Sequence, residues 1–300
     1  MSSPLLRLSD LGFEEIPEDW NEEQLLSMYF PLFRLPDVPL KEVLRNLSLI
    51  EILYLVQTSR RSKRRIWHQR TPTKILVVDG DYDFYVQFSY GNKETFKIEM
   101  ETRGDYFNSY WMFQYFVPVR LDGNILVSRW KTAIDAFQQV LEFLDAVFRI
   151  KEISFEIKPY WSGRAVPIME HVASRNMKIG SVDWSKFCGS DEMAGSWMTV
   201  ENLVALRNCK RINLENVRLN AVNMNKILRE YMRNPGNLQE IRIRYYGSMK
   251  LEKIVKDLNI VGFEEGNKET EPKYWLTTDN GIRFTVTKEF YGAVVITRDA

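Results

Sequence analysis

The most constraining feature of this sequence is Leu49-Ile50-Glu51-Ile52-Leu53-Tyr54-Leu55-Val56. Ser48 and Glu51 form a capping box: the Ser oxygen takes the amide three residues on, and the Glu side chain reaches back. The segment is therefore predicted to open a helix at Ser48 and run to about Gln57. Leu49, Ile50, Ile52, Leu53, Leu55 and Val56 leave that helix almost no polar face. A helix apolar all round has to be covered all round. Its neighbours are short. Leu40, Val43, Leu44 and Leu47 recur at helical spacing behind Pro39, which suits a first turn. Thr58 or Ser59 is placed to cap a third helix ending in a basic run near Trp67. Three helices within 40 residues cannot bury this much apolar surface alone.

The rest of the chain is ordinary in bulk. It has 300 residues, 45% hydrophobic and 27% charged, with net charge +1. That composition supports a real core and gives the chain as a whole no bias toward nucleic acid or membrane. Apolar runs stop well short of the roughly 18 residues that a membrane span needs. The first residues lack the basic-then-apolar pattern of a secretory signal. Cys188 and Cys209 form no CxxC, so a reducing compartment, cytosolic or nuclear, is the expectation.

Charge is unevenly placed. Residues 1–29 hold seven acids and one base, and residues 58–74 hold seven bases and no acid. Two solvated faces account for this most simply. The run Arg60-Arg61-Ser62-Lys63-Arg64-Arg65 also fits a nuclear import signal, whereas nucleic-acid binding by segment 60–74 is the weaker reading.

From Thr73 to Val127 the texture changes to strands, with Asp79-Gly80 and Asp122-Gly123 as turn signals. A small antiparallel sheet is predicted there. An amphipathic helix follows over about Lys131 to Arg149. Beyond it, strand–helix units recur, with strands at 152–157, 177–182, 211–217 and 240–246. Aligning Ile153, Ile179, Ile212 and Ile241 gives spacings of 26, 33 and 29, which suggests a leucine-rich-repeat-like stack. Pro167, Thr199 and Asn220 are expected to start the intervening helices. Strands over Trp275–Thr278 and Ile282–Thr297, joined through Asp279-Asn280-Gly281, are expected to close the C-terminal end.

Alternation sorts the stack's side chains into two sets. Ile153, Phe155, Ile212, Leu214, Ile241 and Ile243 face inward. Ser154, Glu156, Arg211, Asn213, Glu215, Arg242, Arg244 and Tyr246 face outward. An open row of mixed charge is a candidate surface for recruiting a protein, and a merely solvated sheet is the simpler alternative. Tyr245-Tyr246 behind Arg242 and Arg244 also suits stacking on single-stranded bases, a weaker reading.

No chemistry announces itself. There is no GxxxxGK[ST], no GxGxxG and no GxSxG. His68 and His171 are the only histidines, and with two cysteines so far apart a zinc site is not expected. No cofactor is implied. An enzyme would have to work through a pocket of titratable groups that the sequence does not advertise.

The stretch from Phe30 to Ile66, FPLFRLPDVPLKEVLRNLSLIEILYLVQTSRRSKRRI, resembles an F-box, and closely the variety expanded in nematodes. An apolar-aromatic lead, Leu35-Pro36, a short helix with Val43, Leu44 and Leu47, a Leu/Ile-rich second helix and a Ser/Lys/Arg-rich third carry the likeness. Further on, Asn208-Cys209-Lys210-Arg211-Ile212, Asn225 before Ile227-Leu228, and Asn237-Leu238 before a strand resemble the type 2 F-box-associated domain. The chain departs from that pattern at Tyr231, where the family often has Trp.

The resemblance implies an α+β chain: an acidic extension over 1–29, a three-helix F-box over 30–68, and a repeat-like target-binding domain over 71–300. It also implies docking on a Skp-type adaptor, and through it a cullin, by Leu35, Pro36, Leu40, Val43, Leu44, Leu47 and Leu53. The chain would then recruit an unidentified target for ubiquitin transfer by other subunits, with no catalysis, metal or membrane of its own. The rival reading is an interaction scaffold whose helices have no ligase partner.

Overall fold

The computed structural model describes residues 35–58, 60–68, 72–80, 83–90, 95–102, 109–112, 116–158, 164–184, 198–245, 249–266, 271–289 and 292–299. The chain divides into two compact units, Met1–Leu47 and Ser48–Ala300.

In the first unit, helix α1 spans Asp37–Asn46. It begins where the sequence allows, since Pro36 holds an extended backbone and its carbonyl accepts the amide of Leu40 at 3.0 Å. Pro39 lies in the first turn, where its missing N–H is no loss. Leu40 and Leu44, one turn apart, are fully buried. The opposite side carries the Glu42–Arg45 pair at 2.7 Å.

In the second unit, α2 spans Leu49–Thr58 and α3 spans Arg60–His68. The capping box is present as read. The Ser48 amide donates to Glu51 Oε2 at 2.6 Å, and the Glu51 amide donates to Ser48 Oγ at 3.3 Å. Leu49, Ile52, Leu53 and Val56 are buried, with α3 packed alongside. In turn α3, in which Ser62 and Ile66 are buried, meets α4 (Ala133–Val147). The cover that α2 needs is thus extended by a helix that begins 75 residues beyond its end.

Among the described residues, one sheet of 14 strands forms the body. Its centre is a parallel run. β1 (Pro72–Asp79) lies beside β7 (Arg149–Ile157), then come β8 (Ile179–Trp184), β9 (Arg211–Val217) and β10 (Glu240–Tyr245). Between them sit α5 (Ala165–Ser174), α6 (Val200–Ala205) and α7 (Ala221–Arg233). Beyond β1 the sheet continues through β2 (Phe84–Tyr90) and β3 (Phe96–Glu101), antiparallel. β3 runs parallel to β6 (Ile125–Arg129), which hairpins onto β5 (Phe116–Asp122) and then β4 (Ser109–Met112). Beyond β10, antiparallel strands follow in the order β14 (Ala293–Arg298), β13 (Arg283–Lys288), β12 (Lys273–Thr277) and β11 (Ile260–Glu264). A single turn of helix, α8 (Leu251–Ile254), precedes β11.

Several expectations match. Thr199 and Asn220 cap their helices, accepting from Asn202 and Asn223 amides at 3.2 and 2.9 Å. Asp122-Gly123 turns with Gly123 at φ +55°, a backbone that glycine adopts without strain. The six inward residues of the central strands are all buried.

Others are corrected. The strands of 73–127 are not a separate antiparallel sheet. They join the central strands through the parallel β1–β7 pair, a pairing that local sequence does not encode. The helix from Lys131 to Arg149 is shorter, Ala133–Val147, because Thr132 caps it by accepting the Asp135 amide at 3.1 Å. Pro167 lies within the first turn of α5 and does not start it. The long strand over 282–297 is two strands, because Gly292 at φ +81° turns the chain between β13 and β14. The four-isoleucine alignment also slips: Ile153 faces Ile179, but Val182 faces Ile212. An extra residue in β8 at Gly180-Ser181 puts both Ile179 and Val182 inward, which is what a bulge does.

Candidate partner-binding surfaces

The proposed adaptor residues divide by exposure. In the first unit Leu40 and Leu44 are fully buried, Leu35, Val43 and Leu47 are half-buried, and Pro36 is exposed. Val38, which the sequence reading omitted, is 74% exposed and the most exposed large apolar side chain among the described residues. It sits out of phase with Leu40 and Leu44, so helical periodicity alone would have shown it on the outer face. In the second unit Leu53 is fully buried.

The outward row lies on the second unit's central strands. Its charges are largely paired within the protein. Glu156 meets Lys158 at 3.7 Å, and Glu215 meets Arg244 at 3.2 Å. Arg242 donates through Nε and Nη2 to Glu289 Oε2 at 3.1 and 2.5 Å. The Asn213 amide donates to Asp183 at 3.2 Å, a partner the sequence reading left out. Arg211 is the loosest of the set: it reaches Glu240 only at 4.0 Å and its side chain is 70% exposed. Ser154 is half-buried, and Tyr246 lies outside the described residues.

At one end of this face the sheet builds something the alternation pattern did not reveal. Glu152 shares the outward side with Ser154 and Glu156, yet its side chain is only 8% exposed. Lys74 from β1 and Lys210, just before β9, hold its two carboxylate oxygens at 2.8 and 2.6 Å. Room for this comes from Gly180 of β8. A Cβ there would lie 3.2 Å from the Glu152 carboxyl carbon and 3.0 Å from Ser154 Oγ. Hydrogen bonds from Lys210 and then Lys74 outweigh the cost of burial and bring the Glu152 pKa down to about 2. The parity of Glu152 was legible in the sequence. Its two lysines were not, because they lie 78 and 58 residues away in the chain.

The C-terminal end of β1 carries a second ion pair, Arg164 to buried Asp79 at 2.6 Å, with Arg164 also donating to the Gly80 carbonyl at 3.0 Å. Cys209 is buried, and burial pushes its thiol up to about 12, far from a reactive thiolate. His171 is half-buried on α5, and burial lowers its pKa. Cys188 and the His68 side chain lie outside the described residues. Among the described residues no three His, Cys, Asp or Glu side chains gather as metal ligands, and no helix is long and apolar enough to cross a membrane.

Comparison with known proteins bears on one segment of the chain. Residues 32–72 match the F-box domain, a span that runs from just before α1 to the first residue of β1. The chain therefore carries an F-box domain in this segment. The chain is also 26% identical over 162 residues to the Skn-1 dependent zygotic transcript 15 protein of Caenorhabditis elegans. That similarity covers 38% of this chain and 47% of the relative, so the chain spans about half the length of the curated protein it matches. No solved structure matches it.

Proposed function

We propose that this protein is a substrate-recruiting subunit of a Skp–cullin–F-box type ubiquitin ligase, without bond chemistry of its own. The F-box match at 32–72 is the observation that carries this reading, since F-box domains typically bind a Skp-type adaptor and thereby a cullin. The exposed side of α1 supports it: Pro36 and Val38 are available for burial, with half-buried Leu35, Val43 and Leu47 beside them. Leu40, Leu44 and Leu53 have no surface left to offer and act by keeping the helices folded. Aliphatic anchors of this kind are what a stable interface buries at its centre.

In this reading the body that follows is a type 2 F-box-associated domain whose strand–helix stack is leucine-rich-repeat-like. The outward face of β7 to β10 holds the target. Because its charges are largely paired already, it suits a polar partner that adds hydrogen bonds to existing ion pairs, with Arg211 as the cation most free to swing toward it. The mechanism is proximity: holding a target near charged ubiquitin raises its effective concentration. The site of action is the cytoplasm or nucleus, with no nucleic-acid or membrane role.

Co-purification with a Skp-type adaptor tests the reading, using wild type and the Val38→Asp/Pro36→Ala variant. Both positions are exposed, so the variant keeps its circular dichroism spectrum. A wild-type complex lost in the variant supports adaptor docking through α1. A folded wild type that forms no complex overturns it.

A further inference from the structure

The helix-bearing side of the second unit has a cleft of about 600 Å³ between α6 and α7, and its lining is unlike the outward face of the sheet. Four bases, Arg207, Lys226, Arg229 and Arg233, line it against two acids, Glu201 and Glu230. The acids are already engaged. Glu230 accepts from Arg233 at 2.8 Å. Its own amide and Thr199, and then the nearby charge of Lys226, hold the Glu201 carboxyl below its usual range. Arg229 is engaged too, donating to Asn225 at 2.8 Å and to the Lys256 carbonyl at 3.1 Å.

That leaves Arg207 and Lys226. Both are exposed, and among the described residues neither side chain has a hydrogen bond or an ion pair. Val200 and Val204 of α6 give the same cleft an apolar side.

The cleft is held open by the fold. The buried Tyr231 hydroxyl of α7 donates to the Leu203 carbonyl of α6 at 2.7 Å, which fixes the spacing of the two helices. Arg207 is held from behind: the Asn237 amide donates to its carbonyl at 3.2 Å. Gly236, at φ +54°, lies so close that a Cβ there would fall 2.4 Å from that carbonyl oxygen.

We propose that this cleft is a docking groove for a carboxylate-rich peptide segment of a partner protein, with Arg207 and Lys226 taking its acids and Val200 and Val204 an interleaved aliphatic side chain. Charge complementarity argues for this occupant. Arg207 and Lys226, neither within ion-pair distance of an acid among the described residues, flank an apolar strip, and the bases of the cleft outnumber its acids four to two. A nucleic acid fits less well, since its backbone needs a longer basic track and bases to stack on. The proposal is independent of adaptor docking, which uses α1.

The test is fluorescence anisotropy on the full chain with a labelled peptide of alternating Glu-Glu-Leu triplets. The controls are the same peptide with Gln for Glu and a nine-nucleotide poly-dT. The proposal expects saturable binding of the acidic peptide that weakens at least tenfold in Arg207→Glu/Lys226→Glu and falls as salt rises. The Gln peptide and poly-dT should bind at least tenfold more weakly. A milder Arg207→Gln/Lys226→Gln variant, checked for an unchanged melting curve, guards against misfolding and should show an intermediate loss. Adaptor binding should be the same in every variant. Equal affinity for the Gln peptide, tighter binding of poly-dT, insensitivity to the substitutions, or no binding of the acidic peptide would each overturn the proposal.

Discussion

Helix α2 and strand β11 are both short apolar runs, Leu-Ile-Glu-Ile-Leu-Tyr-Leu-Val in one and Ile-Val-Gly-Phe in the other, yet they have opposite fates. In α2, Leu49, Ile52, Leu53 and Val56 are all 5% exposed or less. In β11, Ile260, Val261 and Phe263 are 43, 52 and 55% exposed. Hydrophobicity does not separate them; position does. α2 packs beside α3, which is backed by α4, whereas among the described residues β11 is the last strand of the sheet, with β12 on one side only. An apolar run thus states a need for cover without saying whether the chain supplies it. Exposed apolar edges of this kind are the places where another chain can pair.

The comparison is sharpest at Leu53. Replacing it with Ala should destabilise the protein by about 2–5 kcal/mol, the usual range for a fully buried Leu. Urea denaturation would show this as a lower midpoint, and a loss under about 1 kcal/mol would mean that α2 is not core.

Buried charge obeys the same logic of cover. Glu152→Gln should cost about 1–2 kcal/mol, because it strips a buried carboxylate from two lysines while the exposure of Lys74 limits the loss. The folded-state pKa of Glu152 lies below its ordinary value of 4.5, at about 2. Its stabilisation is therefore complete above pH 4.5 and is lost as pH falls toward 2. Across that window wild type and Glu152→Gln should converge in stability, and curves that stay parallel would remove Glu152 from the account.

Ser48→Ala removes the side-chain half of the capping box and should cost about 1 kcal/mol. The readout is the same urea midpoint, together with weaker amide protection in the first turn of α2.

Phe263→Ser should be the smallest effect. It gives up only a partly exposed ring 4.8 Å from Tyr274, so stability should move by about 0.5 kcal/mol or less while self-association at high concentration declines. A loss approaching that of Leu53→Ala would break the contrast, placing β11 with the core.

Much of the candidate surface was legible before the fold was known. Alternation alone sorted Ile212, Leu214, Ile241 and Ile243 inward and Asn213, Glu215, Arg242 and Arg244 outward, because side chains in a strand have a period of two. The isoleucine alignment slips at β8, where one additional residue shifts the register, since a bulge leaves no mark in a short and weakly patterned segment. Helical spacing picks out Leu40, Val43, Leu44 and Leu47 but does not by itself say that Leu40 and Leu44 are buried while Val38, out of phase with them, is exposed.

What the sequence determined by itself is local: the capping box at Ser48 and Glu51, the helix caps at Thr199 and Asn220, the turn at Gly123, and the two-sidedness of each strand. These depend on residues within a few positions of one another, whose backbone and side-chain chemistry is set along the chain. What only the tertiary structure decided is who stands beside whom. Glu152 sits between Lys74 and Lys210 because β7 runs beside β1 on one side, and on the other Lys210, just before β9, reaches it across Gly180 of β8. The basic cleft exists because Tyr231 ties α7 to α6. Alternation assigns a residue to a face, but its neighbours on that face come from strands and helices tens of residues away, and only the folded sheet brings them together.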